Sequence, residues 1–279
     1  YKEIICSNLD LNIIEGIRIS EEFLEIDENG NEKTVDREYA LSNSESVKRT
    51  QQNKANSSTE WHGSEPEDYK YGLITYMQQQ LIAVYTPHYN GNKTTPGRYV
   101  FIGMSKWLTA PVNRKKDCVT LSSNVFTWDS KSSGDYSGTL IYDVNVYKNG
   151  LLVYSNEGAE ELSDADLTVQ TTTGAYYVVD LPPNSAGLFQ ETAVDYSNIG
   201  FIFMGVANTT WKPETLNIIG VNLIYSHTKT SLSSSINFGW SSDSGISFGV
   251  AVSSFTTTKE YKHSLSWSME DDYNKFIKS

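Results

Sequence analysis

Three Asn-Gly pairs, Asn29-Gly30, Asn90-Gly91 and Asn149-Gly150, sit among short stretches in which apolar and polar residues alternate. A type I′ turn needs positive φ at both central residues, which Asn and Gly tolerate best. Alternation with a period of two marks a strand with one wet face. Together they predict antiparallel hairpins. The clearest is "GTLIYDVNVYKNGLLVY", where Ile141, Val144, Val146 and Tyr147 lead into the turn and Leu151–Tyr154 lead away. Leu9, Leu11 and Ile13 show the same period, as do Leu265, Trp267 and Met269. "YGLITYM" and "LIAVYTP" flank the triplet Gln78–Gln80, which reads as a hairpin or a short helix, with Gly72, the β-branched residues and Pro87 favouring strand. "AYYVVDLPP" ends a strand at Pro182-Pro183, because proline has no N–H for the ladder. "NIGFIFMGVA" and "LNIIGVNLIY" are denser in apolar residues and predict central strands buried on both faces.

No long amphipathic helix pattern appears, and the best helix candidate is the tail over 268–279. The expected fold class is therefore all-β: an antiparallel β-sandwich of jelly-roll or Greek-key type with little helix. At 279 residues the chain has room for two packed β domains. The expected division is an N-terminal β segment over 1–41, a polar loop or linker over 42–68, and a main antiparallel domain over 69–279, with a subdivision near Gly134.

Charge narrows the partners. Against 34 acidic residues stand 22 basic ones, a net charge of −12. Such a chain repels phosphate backbones, so no nucleic-acid partner is expected, and it has no general attraction to anionic lipid. No apolar run approaches the length of a membrane-spanning helix. Ser, Thr, Asn, Gly and Tyr dominate, a composition common in extracellular β proteins. The chain begins at Tyr1 without Met, as a chain trimmed of its targeting segment would. A secreted or cell-surface location is expected, and in that setting Cys6 and Cys118 are candidates for a disulfide.

Two segments carry the functional expectations. The first is "FTWDSKSSGDYSG", where Trp128 and Tyr136 flank a polar turn with Asp129 and Asp135; Trp211 lies in a second polar stretch, "ANTTWKPE". Exposed rings stack on sugar C–H faces while carboxylates and amides read hydroxyls, so a non-catalytic binder of carbohydrate or another cell-surface ligand is the first expectation. Rings that merely cap the ends of the core give the same pattern.

The second segment is "SINFGWSSDSGISFGVAVSSF". Ile236, Phe238 and Trp240, then Ile246, Phe248, Val250 and Val252, alternate with small polar residues, and Asp243 is the only charge between Thr230 and Thr256. A lipid-entering β-hairpin needs about nine to eleven residues per strand with an uncharged lipid face, and an oligomer to pair its edges. A β-pore former using residues 231–255 is the alternative function. One layer of an ordinary sheet, continuing into residues 261–269, explains the same alternation.

Other chemistry is thinner. A polysaccharide hydrolase needs only two opposed carboxylates, which sequence cannot place. No HExxH, CxxC, GxSxG or phosphate-loop pattern occurs, so no catalytic residue and no metal site is assigned. His62 in "EWHGSEPE" reads as a solvated loop histidine. Calcium is the one cofactor to weigh, at Asp27, Asn29 and Asn31 or at Glu160, Glu161, Asp164 and Asp166, although neither group forms a full twelve-residue loop.

Overall fold

A computed structural model describes residues 16–27, 31–57, 74–86, 98–109, 111, 114, 116–123, 126–148, 151–182, 192–208, 219–228, 237–241, 249–253 and 258–267. The strands are β1 (Gly16–Ile26), β2 (Glu32–Val35), β3 (Thr75–Thr86), β4 (Arg98–Trp107), β5 (Lys116–Ser122), β6 (Thr127–Trp128), β7 (Tyr136–Lys148), β8 (Leu151–Glu161), β9 (Leu167–Gln170), β10 (Gly174–Asp180), β11 (Thr192–Asn208), β12 (Ile219–Thr228), β13 (Asn237–Ser241), β14 (Gly249–Ser253) and β15 (Thr258–Trp267). An eight-stranded sheet runs β2-β1-β3-β4-β11-β7-β8, with β6 also paired to β11; a five-stranded sheet runs β15-β12-β5-β10-β9. All the pairings are antiparallel.

The two sheets pack face to face as an antiparallel β-sandwich. Alternation decides which residues meet. Tyr99, Phe101 and Trp107 of β4 and Phe201, Phe203 and Ala207 of β11 join Val119, Leu121, Tyr177, Val221, Leu223 and Tyr225 of the facing sheet in one core. The residues between them, Val100, Ile102, Met104, Ile202, Met204 and Val206, form a second buried cluster with Ile82 and Val84. This explains why β11 reads as a dense apolar run: both faces are buried there. At Gly103 the facing sheet comes so close that a Cβ would lie 2.5 Å from Leu223 Cδ1.

The Asn-Gly signals at 29–30 and 149–150 lie between paired strands: Ile26 pairs with Glu32 and Lys148 with Leu151. The Gln triplet is neither a turn nor a helix but the middle of β3. Gln79 points into the core, donating from Nε2 to Ser105 Oγ and Tyr261 O, each at 3.2 Å, while Gln78 and Gln80 reach Glu21 Oε1 on β1.

Two expectations about organisation need correction. The tract expected as a loop or linker over 42–68 is helical as far as its first part: α1 spans Arg37–Ser57. Asp36 caps it, accepting from the Glu38 N–H at 2.8 Å and the Tyr39 N–H at 3.3 Å. Its anchors are small. Ala40 and Ser44 are buried and Val47 half-buried, and Ala40 and Val47 pack with Phe23, Tyr76 and Leu108. Nor does the chain divide near Gly134. Strands from both sides of it share both sheets, and Gly134 itself ends a short 3-10 turn with φ 73°. Strands β1 and β2 of the N-terminal segment likewise belong to the large sheet. The tail over 268–279 lies outside the described residues.

Candidate functional site

The turn over 127–136 is well formed, but it points its rings inward. Trp128 is 1% exposed and packs on Phe101 at 5.6 Å between ring centres; Tyr136 is 8% exposed. Gly205 makes the space: a Cβ there would lie 3.3 Å from both rings. Tyr136 donates its hydroxyl to the carbonyl of Asp129, whose carboxylate accepts from Asn208 Nδ2. Burial, followed by the nearby carboxylates of Asp129 and Asp135, pushes the Tyr136 hydroxyl pKa upward, so it stays a donor. The structure thus brings Trp128, Asp129, Asp135 and Tyr136 together, but as an end cap on the core. A ring buried this far offers no face to a sugar. Trp107 is also buried, and Trp211 lies outside the described residues.

The second segment stands differently. Strands β12 and β15 pair directly, from Ile219↔Trp267 to Thr228↔Thr258. The chain between them, residues 229–257, is an insertion at the end of a finished hairpin ladder. Within it β13 and β14 form a two-stranded sheet of their own, with Phe238 opposite Val252 and Trp240 opposite Val250. This corrects the view that the segment continues into residues 261–269: β15 pairs with β12, and β14 with β13. In the sequence, Phe238, Trp240, Val250 and Val252 alternate with small or polar residues. Ile236, Ile246 and Phe248 lie outside the described residues.

The root of this insertion is held by a buried polar network that the sequence did not announce. Trp107 Nε1 donates to Tyr225 OH at 3.0 Å, and Tyr225 donates in turn to Asp117 Oδ2. His227 Nδ1 lies 2.9 Å from the same oxygen. Asp117, Tyr225 and His227 are all fully buried. Burial raises the Tyr225 pKa, and the Asp117 carboxylate adds to the effect. His227 is one residue from the last paired residue of β12. Its signal was a histidine in phase with Val221, Leu223 and Tyr225; Asp117, distant in sequence, had none. On the other side of the ladder, His263 of β15 binds Glu22 Oε2 through Nδ1 and Ser20 Oγ through Nε2, both at 3.0 Å, joining the sandwich's edges.

The remaining candidates resolve simply. The Asp27 carboxylate closes the β1–β2 turn, accepting from the Asn31 N–H and Nδ2, each at 2.8 Å; Asn29 lies outside the described residues. Glu160 and Glu161 are exposed on β8, and Asp164 and Asp166 lie in a 3-10 turn capped by Ser163. Among the described residues no group of three or more His, Cys, Asp or Glu side chains is arranged to hold a metal. Cys118 is buried, with Sγ 3.6 Å from Thr120 Oγ1; Cys6, and with it the expected bridge, lies outside the described residues. Among the described residues no helix is long and apolar enough to cross a membrane, which leaves crossing by strands untouched. No protein family and no curated protein matches the chain.

Proposed function

We propose that this is an exported, membrane-active protein that inserts residues 231–255 into a bilayer as one β-hairpin of an oligomeric pore. The observation that carries this reading is the insertion itself. A nearly charge-free alternating segment forms a ribbon outside both main sheets, spliced between two strands that already pair with each other. An ordinary sheet has no need of such a splice. In a barrel each chain would contribute two strands, the face of Phe238, Trp240, Val250 and Val252 meeting lipid and the small polar face meeting water. Asp243, between the strands, would cross as the tip. Recognition of a cell-surface ligand belongs to this reading as the step that selects the membrane. It finds no support from Trp128 and Tyr136, whose rings are buried.

The test is dye release from vesicles. The protein is expected to release dye and to form a detergent-resistant oligomer, and the double variant Phe238→Asp, Val250→Asp to stay folded and lose both. Release that the double variant retains, or no release by the unaltered protein from any vesicle, sinks the proposal.

A further inference from the structure

Strand β8 begins with four consecutive exposed apolar residues: Leu151, Leu152, Val153 and Tyr154 are 71%, 52%, 58% and 53% exposed. Single exposed apolar residues are ordinary. Four in succession on a strand are not, because both of its faces then present apolar surface to water. A docking face for a protein partner needs one apolar side. An apolar strand end exposed on both sides fits a medium that surrounds it.

The tip belongs to a three-stranded ribbon of β8, β7 and the first part of β11. Lys148 pairs with Leu151 on one side and Thr192 on the other. This ribbon outruns the rest of the sheet. Gly200 of β11 pairs with Lys106, at the end of β4, while β11 begins at Thr192. The overhang is thus about 25 Å at 3.3 Å per residue. Just behind the apolar end the ribbon turns polar and is tied crosswise. Ser155 Oγ donates to Asn145 Oδ1 and Asn145 Nδ2 to Ser197 Oγ, both at 2.8 Å. Arg114 Nη2 holds the Tyr196 carbonyl at 2.9 Å. The apolar stretch is therefore about 10 Å deep, the depth to which interfacial segments sink into the headgroup boundary.

Its direction matters as much. Gly103 faces Leu223, whereas Trp107 touches Tyr225 and His227. So β12 runs toward Thr228 at the end of the sandwich where β4 stops and the ribbon projects. The ladder of β12 and β15 ends at that same end, at Thr228 and Thr258. We propose that Leu151–Tyr154, at the end of the β7–β8 hairpin, is a membrane-docking tip that enters the interface of a lipid bilayer and sets the insertion over it. This rests on the pore reading for its purpose but not for its measurement.

The experiment is flotation with phosphatidylcholine vesicles, run beside dye release. The unaltered protein should float, and a Leu152→Asp, Val153→Asp variant with unchanged thermal midpoint should lose at least tenfold in bound fraction. Phe238→Asp, Val250→Asp should float as the unaltered protein does. A Tyr154→Trp variant should float too and show blue-shifted emission from the new indole on binding, a readout that a misfolded tip would not give. Flotation with loss of release confined to the second double variant supports the tip. Flotation by the unaltered protein without release ends the pore reading and leaves the tip standing. A tip variant that floats normally, an unaltered protein that never floats, or a concentration-dependent dimer that alone covers the tip overturns the proposal.

Discussion

At the residue scale, burial sets the chemistry of the tyrosines. Tyr99, Tyr177 and Tyr225 lie in the core, and desolvation raises the pKa of each above the ordinary 10.0, Tyr177 to about 12. A folded-state pKa above the unfolded one means that the unfolded chain loses its proton first. The stability held by these hydroxyls is complete below pH 10 and falls as pH rises through the gap, by about 1.4 kcal/mol per pH unit for each group. Urea midpoints should be flat with respect to these tyrosines up to pH 10 and decline steeply above it. The Tyr177 hydroxyl has no partner among the described residues. Tyr177→Phe should therefore be neutral or slightly stabilising at pH 7 and flatten the decline between pH 10 and 12. An unchanged alkaline slope in that variant would show that Tyr177 is not held neutral by burial. The same scale shows where sequence falls short. Trp128 sits in a polar turn and reads as exposed, yet Gly205, on a strand far along the chain, opens the slot that its ring fills. That pairing of a glycine with a distant ring has no local signature.

Elements with strong periodicity were legible and weakly patterned ones were not. The paired strands around residues 29–30 and 149–150, and the doubly buried strands β11 and β12, follow directly from turn chemistry and apolar density. Helix α1 did not, because Ala40, Ser44 and Val47 space correctly for a helix but carry little apolar surface. The insertion was legible as alternation but not as an insertion, since pairing of Thr228 with Thr258 across its whole length is a tertiary fact. That pairing makes a prediction. Replacing residues 229–257 with Asn-Gly should close β12 and β15 as an ordinary two-residue hairpin. Shortening the loop this far favours folding by about 2 kcal/mol of chain entropy. The shortened chain should melt cooperatively, by circular dichroism, at a midpoint no lower than that of the full chain, and release no dye. Failure to fold would assign the segment to the sandwich and remove it from the membrane.

The whole molecule brings the apolar tip and the ends of β12 and β15, between which residues 229–257 are inserted, to one end of a sandwich in a chain whose net charge is −12. Charge and apolar contact then act on different lengths. The charges flanking the tip in sequence, Lys148 and Glu157, have opposite signs, and Glu157 follows Tyr154 by about 10 Å of strand. At physiological salt, with screening over about 8 Å, the bilayer senses little beyond the tip itself. Binding should then differ less than about threefold between phosphatidylcholine vesicles and vesicles containing phosphatidylserine. At about 0.01 M salt the screening length grows to about 30 Å and the net negative charge of the chain comes into range. Binding to the anionic vesicles should fall by about tenfold there, while binding to the zwitterionic ones holds. Flotation at the two salt concentrations measures this. A protein that docked through a basic patch would respond with the opposite sign, gaining affinity for anionic lipid as salt is removed. That outcome would move the docking surface away from Leu151–Tyr154 to a cluster of lysines or arginines elsewhere on the chain.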